Sequence, residues 1–409
     1  MRKLKSLLFL VLLVSVTTAR AQNWVTITAD NPSPASVTLM SSDDHSSVVQ
    51  FRIGGFNLVP VATPRGEAFI PQVSGATSLL EEGNPDLPKL TASVIIPDRA
   101  LMELHVVSSR YIDYPFIEIA PSKGNFTRDI DPASVPYRYG KVYETDQFFP
   151  ADQAFLRDPY ILRDHRGQTV VVSPFAYNPV TKVLRVYYEM TVEIRQTGTS
   201  SVNALNRGNM PERISSEFSR IYDRHFLNAP SKTSRYTPLE EQGNMLIICY
   251  KTFLGEMEDF VEWKRTIGIP VEMVDVTEIG ANSTAIKNYV ADYYATNGLT
   301  YLLLVGDHAQ VPTITSGNIG GPSDHAYGYL AGNDHYPDVF VGRFSAENAQ
   351  QVQTQVVRTI AYEKNPDTSV DWFAAGVGIA SGEGTGDDGE YDWQHMRNVR
   401  TDLVGYTYT

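Results

Sequence analysis

Two stretches decide the fold of the second half of this chain: LLLVGDH at residues 302–308 and GNDHYPDVFVGRF at residues 332–344. Each joins a short apolar run, typical of a strand buried on both faces, to an acidic loop. Further runs of this kind alternate with segments of helical period, and this alternation predicts a mainly parallel α/β sheet with sites at the carboxyl ends of its strands. The helices are expected at 256–265, 283–295 and 346–363, and a last strand at 373–380.

The first half of the chain follows a different pattern. The run at 183–194 alternates between apolar and polar side chains, as a half-buried strand does. Connections rich in proline and glycine separate it from other strand-like runs, so residues 22–228 are predicted to form an all-β, sandwich-like domain. The other runs lie at 47–61, 101–107, 116–119 and 169–172.

The boundary between the halves is marked by composition. A helical patch at 211–226 is followed by NAPSKTSR at 228–235, which is polar, small and typical of a linker. The stretch ends in Arg235 before Tyr236, an arrangement that suits proteolytic processing. We therefore expect a linker at 229–235 that is cleaved after Arg235, and an α/β domain at 236–409.

Residues 1–21 have the pattern of a secretory signal peptide. Arg2, Lys3 and Lys5 precede an apolar run at 7–16, and small residues stand where a signal peptidase cleaves, before Gln22. The alternative is a membrane anchor, but ten apolar residues are too few to span a bilayer. The sequence therefore predicts export through a signal peptide, with a secreted or cell-surface location and no membrane span.

Composition argues against two classes of partner and against internal disulfide bonds. The 409 residues carry a net charge of −13, so nucleic acid and anionic lipid are not expected as partners. Cys249 is the one cysteine of the sequence, which leaves no internal disulfide framework. Because Cys249 stands in an apolar strand, MLIIC, it is expected to be a small buried hydrophobe and not a nucleophile.

Three aspartates form the first candidate site. Asp307 leaves one strand, and Asp334 and Asp338 lie in the loop before the next one. Carboxylates without an intervening Lys or Arg suit a hard cation such as calcium, although a solvated acidic loop has the same pattern. The neighbouring histidines, His308 and His335, leave a zinc-dependent hydrolase open as well, but no HExxH spacing supports one.

A second acidic group follows the predicted strand at 373–380. Its members are Glu383, Glu390, Asp392 and His395, and a glycine-rich loop at 381–389 joins them to the strand. The loop is acidic and lacks the Lys-Ser or Lys-Thr of a phosphate loop, so it suits a cation or a basic side chain better than a phosphate, unless it is simply solvated. No GxSxG motif is present. The residues alone therefore indicate an exported α/β domain with acidic sites, and not its reaction.

Several motifs together resemble the gingipains, secreted cysteine endopeptidases with a caspase-like fold, and in particular their arginine-specific type. They are RYTP (235–238), LVGDH (304–308), YG (327–328), GNDHY (332–336), VGRFS (341–345) and GExDxQH (389–395). The resemblance covers essentially the whole chain. It implies that residues 22–228 are a propeptide and that residues 236–409 are the first part of a caspase-like peptidase domain.

The resemblance also implies roles for individual residues. Glu383 matches the acid that supports the catalytic histidine. Asp392 matches the acid at the bottom of the arginine pocket, where a buried carboxylate pairs bidentately with a guanidinium. The structural calcium of the family falls on Asp307, Asp334, Asp338 and the carbonyls of Ala331 and Tyr336, with a further site at Glu390 and His395.

One part of the family pattern is missing. The family's catalytic histidine lies in a His-Gly pair and its cysteine follows a later strand, but this sequence has no His-Gly pair and no cysteine after Cys249. We expect the catalytic pair beyond Thr409 and no turnover by the chain itself. Substrates with arginine before the scissile bond and the chain's own propeptide are the expected partners. The alternatives are a non-catalytic fragment acting as inhibitor or chaperone, and a metal-dependent hydrolase.

Overall fold

The computed structural model describes residues 23–127, 129–207, 214–230, 243–316, 321–385 and 390–408. The predicted signal peptide and processing site lie outside the described residues. In the β-rich half the strands are β1 (Asn23–Thr26), β2 (Ser36–Ser42), β3 (Ser46–Arg52), β4 (Gly55–Thr63), β5 (Gly66–Gln72), β6 (Thr77–Ser78), β7 (Pro88–Ile96), β8 (Ala100–Tyr114), β9 (Ala154–Leu156), β10 (Tyr160–Leu162), β11 (His165–Val172), β12 (Phe175–Asn178) and β13 (Val183–Thr199).

These strands form antiparallel sheets that enclose one core, which confirms the predicted all-β, sandwich-like architecture. One sheet has the order β12-β13-β3-β2, with β8 also paired to β13, and another has the order β10-β11-β7-β6, with β9 paired to β11. A third sheet, β1-β4-β5, completes this half. Val49 and Val192 from the first sheet share a cluster with Val94 and Val170 from the second, and all four are buried.

The run at 47–61 forms two strands instead of one. The strand is interrupted between Arg52 and Gly55, where the backbone passes close to the strand β1. A side chain at Gly55 would place its Cβ 2.5 Å from the carbonyl oxygen of Val25. The run at 116–119 is not a strand either, and contributes an isolated bridge between Ile119 and Phe69.

The second half begins after the helix α1 (Ser216–His225), which belongs to the patch predicted at 211–226. The elements that follow are β14 (Met245–Cys249), α2 (Glu258–Thr266), β15 (Val271–Asp275), α3 (Val276–Ile279), α4 (Ser283–Asn297), β16 (Tyr301–Val305), β17 (Ile314–Ser316), β18 (Gly321–Ser323), β19 (Phe340–Phe344), α5 (Ala349–Lys364) and α6 (Asp392–Gly405). No helix in the described ranges is long and apolar enough to cross a membrane.

The four strands β15-β14-β16-β19 form a parallel sheet, as predicted. Ile247 on β14 faces a cluster that contains α2 and α5, whereas Leu246 faces a cluster that contains α4. Both residues are 0% exposed, so the central strand is buried on both faces. This explains why its sequence is a continuous apolar run with no alternation.

The prediction of a strand at 373–380 is wrong. Residues 371–374 form a 3-10 turn and residues 375–380 are neither helix nor strand. Val377 and Ile379 are 90% and 87% exposed. Gly376 and Gly378 stand beside them and contribute no side chain to pack, so this stretch has β-branched residues but no packed face that would hold it in a sheet.

Candidate functional site

The parallel sheet separates the three predicted aspartates. Asp307 follows β16 and therefore lies at the carboxyl edge, whereas Asp338 precedes β19 and lies at the amino edge, where Phe340 N–H donates to the Thr300 carbonyl (2.8 Å). A five-residue strand at about 3.3 Å per residue puts roughly 16 Å between the edges. The expectation that Asp307 shares one ion with Asp334 and Asp338 is therefore wrong, because acids before and after parallel strands end on opposite edges.

At the carboxyl edge, Asp307 is held by the residues that directly follow β19. Its backbone N–H donates to the Ala346 carbonyl (2.9 Å), and its carboxylate accepts from the Ser345 hydroxyl (3.2 Å). The preceding Gly306 has φ of 130°, and a Cβ there would lie 2.8 Å from that of Gln310. The tight turn thus requires glycine and fixes the direction in which Asp307 leaves the strand.

An ion pair that was not predicted from the sequence lies at the same edge. Arg343 on β19 donates two hydrogen bonds to the carboxylate of Asp324, both 2.7 Å long. It also donates to the carbonyls of Gly306 (2.7 Å) and Val311 (2.9 Å). The Arg343 side chain is 11% exposed, so one buried guanidinium joins β19, the turn after β16 and the loop that carries Asp324.

At the amino edge, Asp338 is completely buried and accepts three backbone hydrogen bonds. The donors are the N–H groups of Leu330 (2.8 Å), Ala331 (2.7 Å) and Arg163 (2.9 Å). Burial raises the pKa of Asp338 to about 6, although the three N–H groups act in the opposite direction. Its carboxylate thus organises the 330–338 loop from within.

Asp334 uses its carboxylate in the same way. One oxygen accepts from Tyr336 N–H (3.0 Å) and the other from Ile161 N–H on β10 (2.8 Å), and burial raises its pKa. The Tyr336 ring stacks on Tyr160 of β10, with 4.1 Å between centroids. The loop predicted to bind calcium is therefore part of the junction between the β-rich half and the parallel sheet.

The described residues contain no group of three or more His, Cys, Asp or Glu side chains that could hold a metal ion. His308 lies against the Thr313 hydroxyl (3.1 Å), and the His335 ring meets that of Tyr329 edge to face at 5.5 Å. Neither histidine joins the aspartates in a zinc-like cluster. Nothing in this arrangement favours the metal-dependent hydrolase.

The C-terminal acids lie around the start of α6. Asp392, the first residue of that helix, is half-buried and accepts from the Ser381 hydroxyl (2.6 Å). Because Glu383 N–H donates to the same hydroxyl (3.2 Å), Ser381 links the residue expected to bind substrate, Asp392, to the acid expected to support the catalytic histidine, Glu383. Glu390 and His395 are also brought together, with 3.3 Å between carboxylate and Nδ1.

Cys249 occupies the end of β14 and is 0% exposed. Burial, together with the nearby Asp275 carboxylate, raises the pKa of its thiol to about 12. A thiol with this pKa carries almost no thiolate at neutral pH, and the thiolate is the nucleophilic form. Cys249 is therefore a packing residue of the sheet and not a catalytic one.

Two family models match this chain one after the other. Residues 27–219 match the model of the C25 propeptide, and residues 238–408 match that of peptidase family C25. The order is that of the β-rich and parallel-sheet halves of the structure. The complex of Porphyromonas gingivalis RgpB pro- and mature domains is 38% identical to this chain at a TM-score of 0.45, covering 49% of this chain and 98% of that chain.

The curated relatives share most of this chain's length. Gingipain R1 of Porphyromonas gingivalis is 41% identical over 383 residues, which cover 91% of this chain and 38% of that protein. Gingipain R2 of the same organism is 40% identical over 381 residues, with 91% and 51% covered. Lys-gingipain is 22% identical over 336 residues, with 78% and 19% covered. The chain thus spans about half or less of the length of the curated relatives it matches.

Proposed function

The chain belongs to peptidase family C25, the gingipains, and on this premise we propose that it is part of the precursor of a cysteine endopeptidase that cleaves after arginine. The observation that carries the proposal is the difference in sequence identity between the R-type gingipains and Lys-gingipain. Identity is about 40% to the two R-type gingipains, over 91% of the chain, but 22% to Lys-gingipain. No observation favours the inhibitor-only or metal-hydrolase alternatives.

The proposed reaction needs a thiolate that attacks the scissile carbonyl and a histidine that shuttles the proton. Since the chain spans 38% of the length of Gingipain R1, we place both groups in the remaining part of the complete protein. Two acids of this chain would assist the reaction. Glu383 would orient the histidine, and Asp392 would receive the substrate's guanidinium, which a carboxylate binds with two parallel hydrogen bonds.

The order of processing follows from the same proposal. Residues 1–21 would direct export and be removed, and residues 22–228 would act as the propeptide. The linker at 229–235 would be cleaved after Arg235. Cleavage after an arginine is the specificity proposed for the enzyme itself. The mature domain would then begin at Tyr236 and act on the cell surface or outside the cell.

Activity of the complete protein against an arginine-containing reporter peptide is expected to depend on a thiol other than Cys249. Alkylation should abolish cleavage, whereas Cys249→Ala should retain it, because that thiol is buried and protonated. The purified 409-residue chain should show no cleavage above background. Alkylation-sensitive cleavage by this chain that Cys249→Ala removes would overturn the assignment.

Calcium remains a proposal, with two separate places in the chain. Carboxylate and carbonyl oxygens are the ligands that calcium prefers. In the loop the ligands would be Asp334, Asp338 and the carbonyls of Ala331 and Tyr336, and an ion there would replace backbone N–H groups that now donate to both carboxylates. Glu390 and His395 form the other candidate pair, which meets at 3.3 Å. Asp307 cannot belong to the loop site, because it lies at the opposite edge of the sheet.

Removal of calcium by a chelator is expected to lower the melting temperature of the parallel-sheet half. An ion bound only by the folded state at 100 times its Kd stabilises that state by about 2.7 kcal/mol, which corresponds to several degrees. Asp334→Asn should remove the difference between chelated and calcium-loaded protein. Asp307→Asn is the matched control and should keep it. Equal melting temperatures with and without calcium in the unmodified chain would contradict the loop site.

A further inference from the structure

The turn between β10 and β11 inserts into the amino edge of the parallel sheet. Leu162 pairs with His165, so the turn consists of Arg163 and Asp164. Arg163 has a φ of 46°, a left-handed conformation that costs roughly 1 kcal/mol for a residue with a side chain. A strained turn persists where its surroundings hold it, and here those surroundings belong to the other half of the chain.

Arg163 is 4% exposed, and its guanidinium is hydrogen-bonded to residues that directly precede two parallel strands. It donates to the carbonyls of Leu299 and Asp338, the latter at 2.8 Å, and to the Thr300 hydroxyl at 3.3 Å. Its backbone N–H donates to the Asp338 carboxylate. Thus one residue of the β-rich half satisfies acceptors that precede both β16 and β19.

The helix α1 closes this contact from the other side. The Phe218 ring lies 4.6 Å from the Arg163 guanidinium carbon and 4.7 Å from the Phe340 ring on β19. The Tyr222 hydroxyl donates to the Asp164 carboxylate (2.6 Å), which also lies 3.5 Å from Arg163 Nε. The turn and α1, the last described helix before the linker, therefore hold the same edge of the sheet.

We propose that the turn Arg163–Asp164 is a docking plug that keeps the propeptide bound to the peptidase domain after the linker has been cut. The plug sits at the amino edge, whereas the candidate substrate-binding machinery of an open parallel sheet belongs to the carboxyl edge. It can therefore retain the propeptide whether or not the substrate cleft is filled. This inference rests on the proposed function only in taking residues before the linker as a propeptide.

A second buried arginine offers a matched control. Arg166, on β11, is 0% exposed and donates to the carbonyls of Pro97, Ala100, Val202 and Asn203, all within the β-rich half. Lysine in either position keeps the charge but cannot reproduce a planar fork of donors. Arg163→Lys therefore tests the junction, and Arg166→Lys tests the same chemistry inside one half.

The experiment uses the full chain with a recognition sequence for a site-specific protease inserted in the linker at 231–235. After cleavage, retention of the two halves is measured by size-exclusion chromatography and by their dissociation constant. Loss of a buried, hydrogen-bonded charged contact is expected to weaken retention roughly 30-fold or more for Arg163→Lys and Arg163→Met. Arg166→Lys should change it less than about three-fold while lowering the melting temperature of the β-rich half.

Thr300→Val supplies a variant on the other side of the junction in case Arg163→Met does not fold. It removes the hydroxyl that accepts a hydrogen bond from Arg163 and leaves the side-chain volume almost unchanged. A smaller but measurable loss of retention is expected. Undiminished retention in folded Arg163→Lys and Thr300→Val would overturn the proposal, and so would an equal loss in Arg166→Lys. Because an added protease makes the cut and no turnover is measured, the result is independent of whether the complete protein cleaves after arginine.

Discussion

Asp392→Asn in the complete protein is expected to lower kcat/KM for arginine-containing substrates by about 10³-fold. A buried guanidinium that loses its carboxylate leaves both the charge and its donors unpaired, which costs on the order of 2–5 kcal/mol. Asparagine keeps the size of the side chain and can still accept from the Ser381 hydroxyl, which donates to Asp392 at 2.6 Å. The change therefore removes the charge with little disturbance of the start of α6.

The measurement compares paired reporter peptides with arginine or lysine before the scissile bond. Asp402→Asn, an exposed position on the same helix, is the matched control and should leave both rates within about two-fold. Loss of arginine cleavage in both variants would indicate damage to the helix. Unchanged arginine cleavage in folded Asp392→Asn would remove Asp392 from the substrate pocket.

The parallel sheet could be predicted from sequence because its central strands are buried on both faces. The apolar run at the start of LLLVGDH became part of β16, and the apolar strand MLIIC became β14. The antiparallel strand β13 was recognised from its alternation, since one face meets the core and the other does not. In both cases the signal lies within a single segment and depends on no distant partner.

The site was harder to predict because it depends on which edge of the sheet each loop occupies. Asp307 and Asp338 carry the same chemistry, but one follows its strand and the other precedes its strand. The pattern of carboxylates and the family resemblance suggested a shared ion, and only the parallel register of β16 and β19 separates the two residues. The Asp324–Arg343 pair was missed for a related reason, since its two members come from a loop and a strand with no fixed spacing.

The contact between the β-rich half and the parallel sheet was the hardest feature to predict from the sequence. Arginine is unusual with a positive φ, so LRDH at 162–165 does not have the composition of a tight hairpin turn. The turn is stabilised by acceptors near residues 299 and 338, which no local pattern could reveal. The strand expected at 373–380 failed in the opposite way, because β-branched residues were present but a packed face was not.

The central claim is that this chain is a precursor whose linker between the two halves is cleaved after an arginine, and N-terminal sequencing of the exported complete protein tests it most directly. The linker is polar and poor in large apolar side chains, so we expect a protease to reach it. We expect a mature terminus at Tyr236, which Arg235→Ala should abolish and alkylation of the complete protein should delay. Arg224→Ala, in the exposed last turn of α1, should leave that terminus unchanged. A mature form that begins elsewhere while Arg235 is intact would contradict the account.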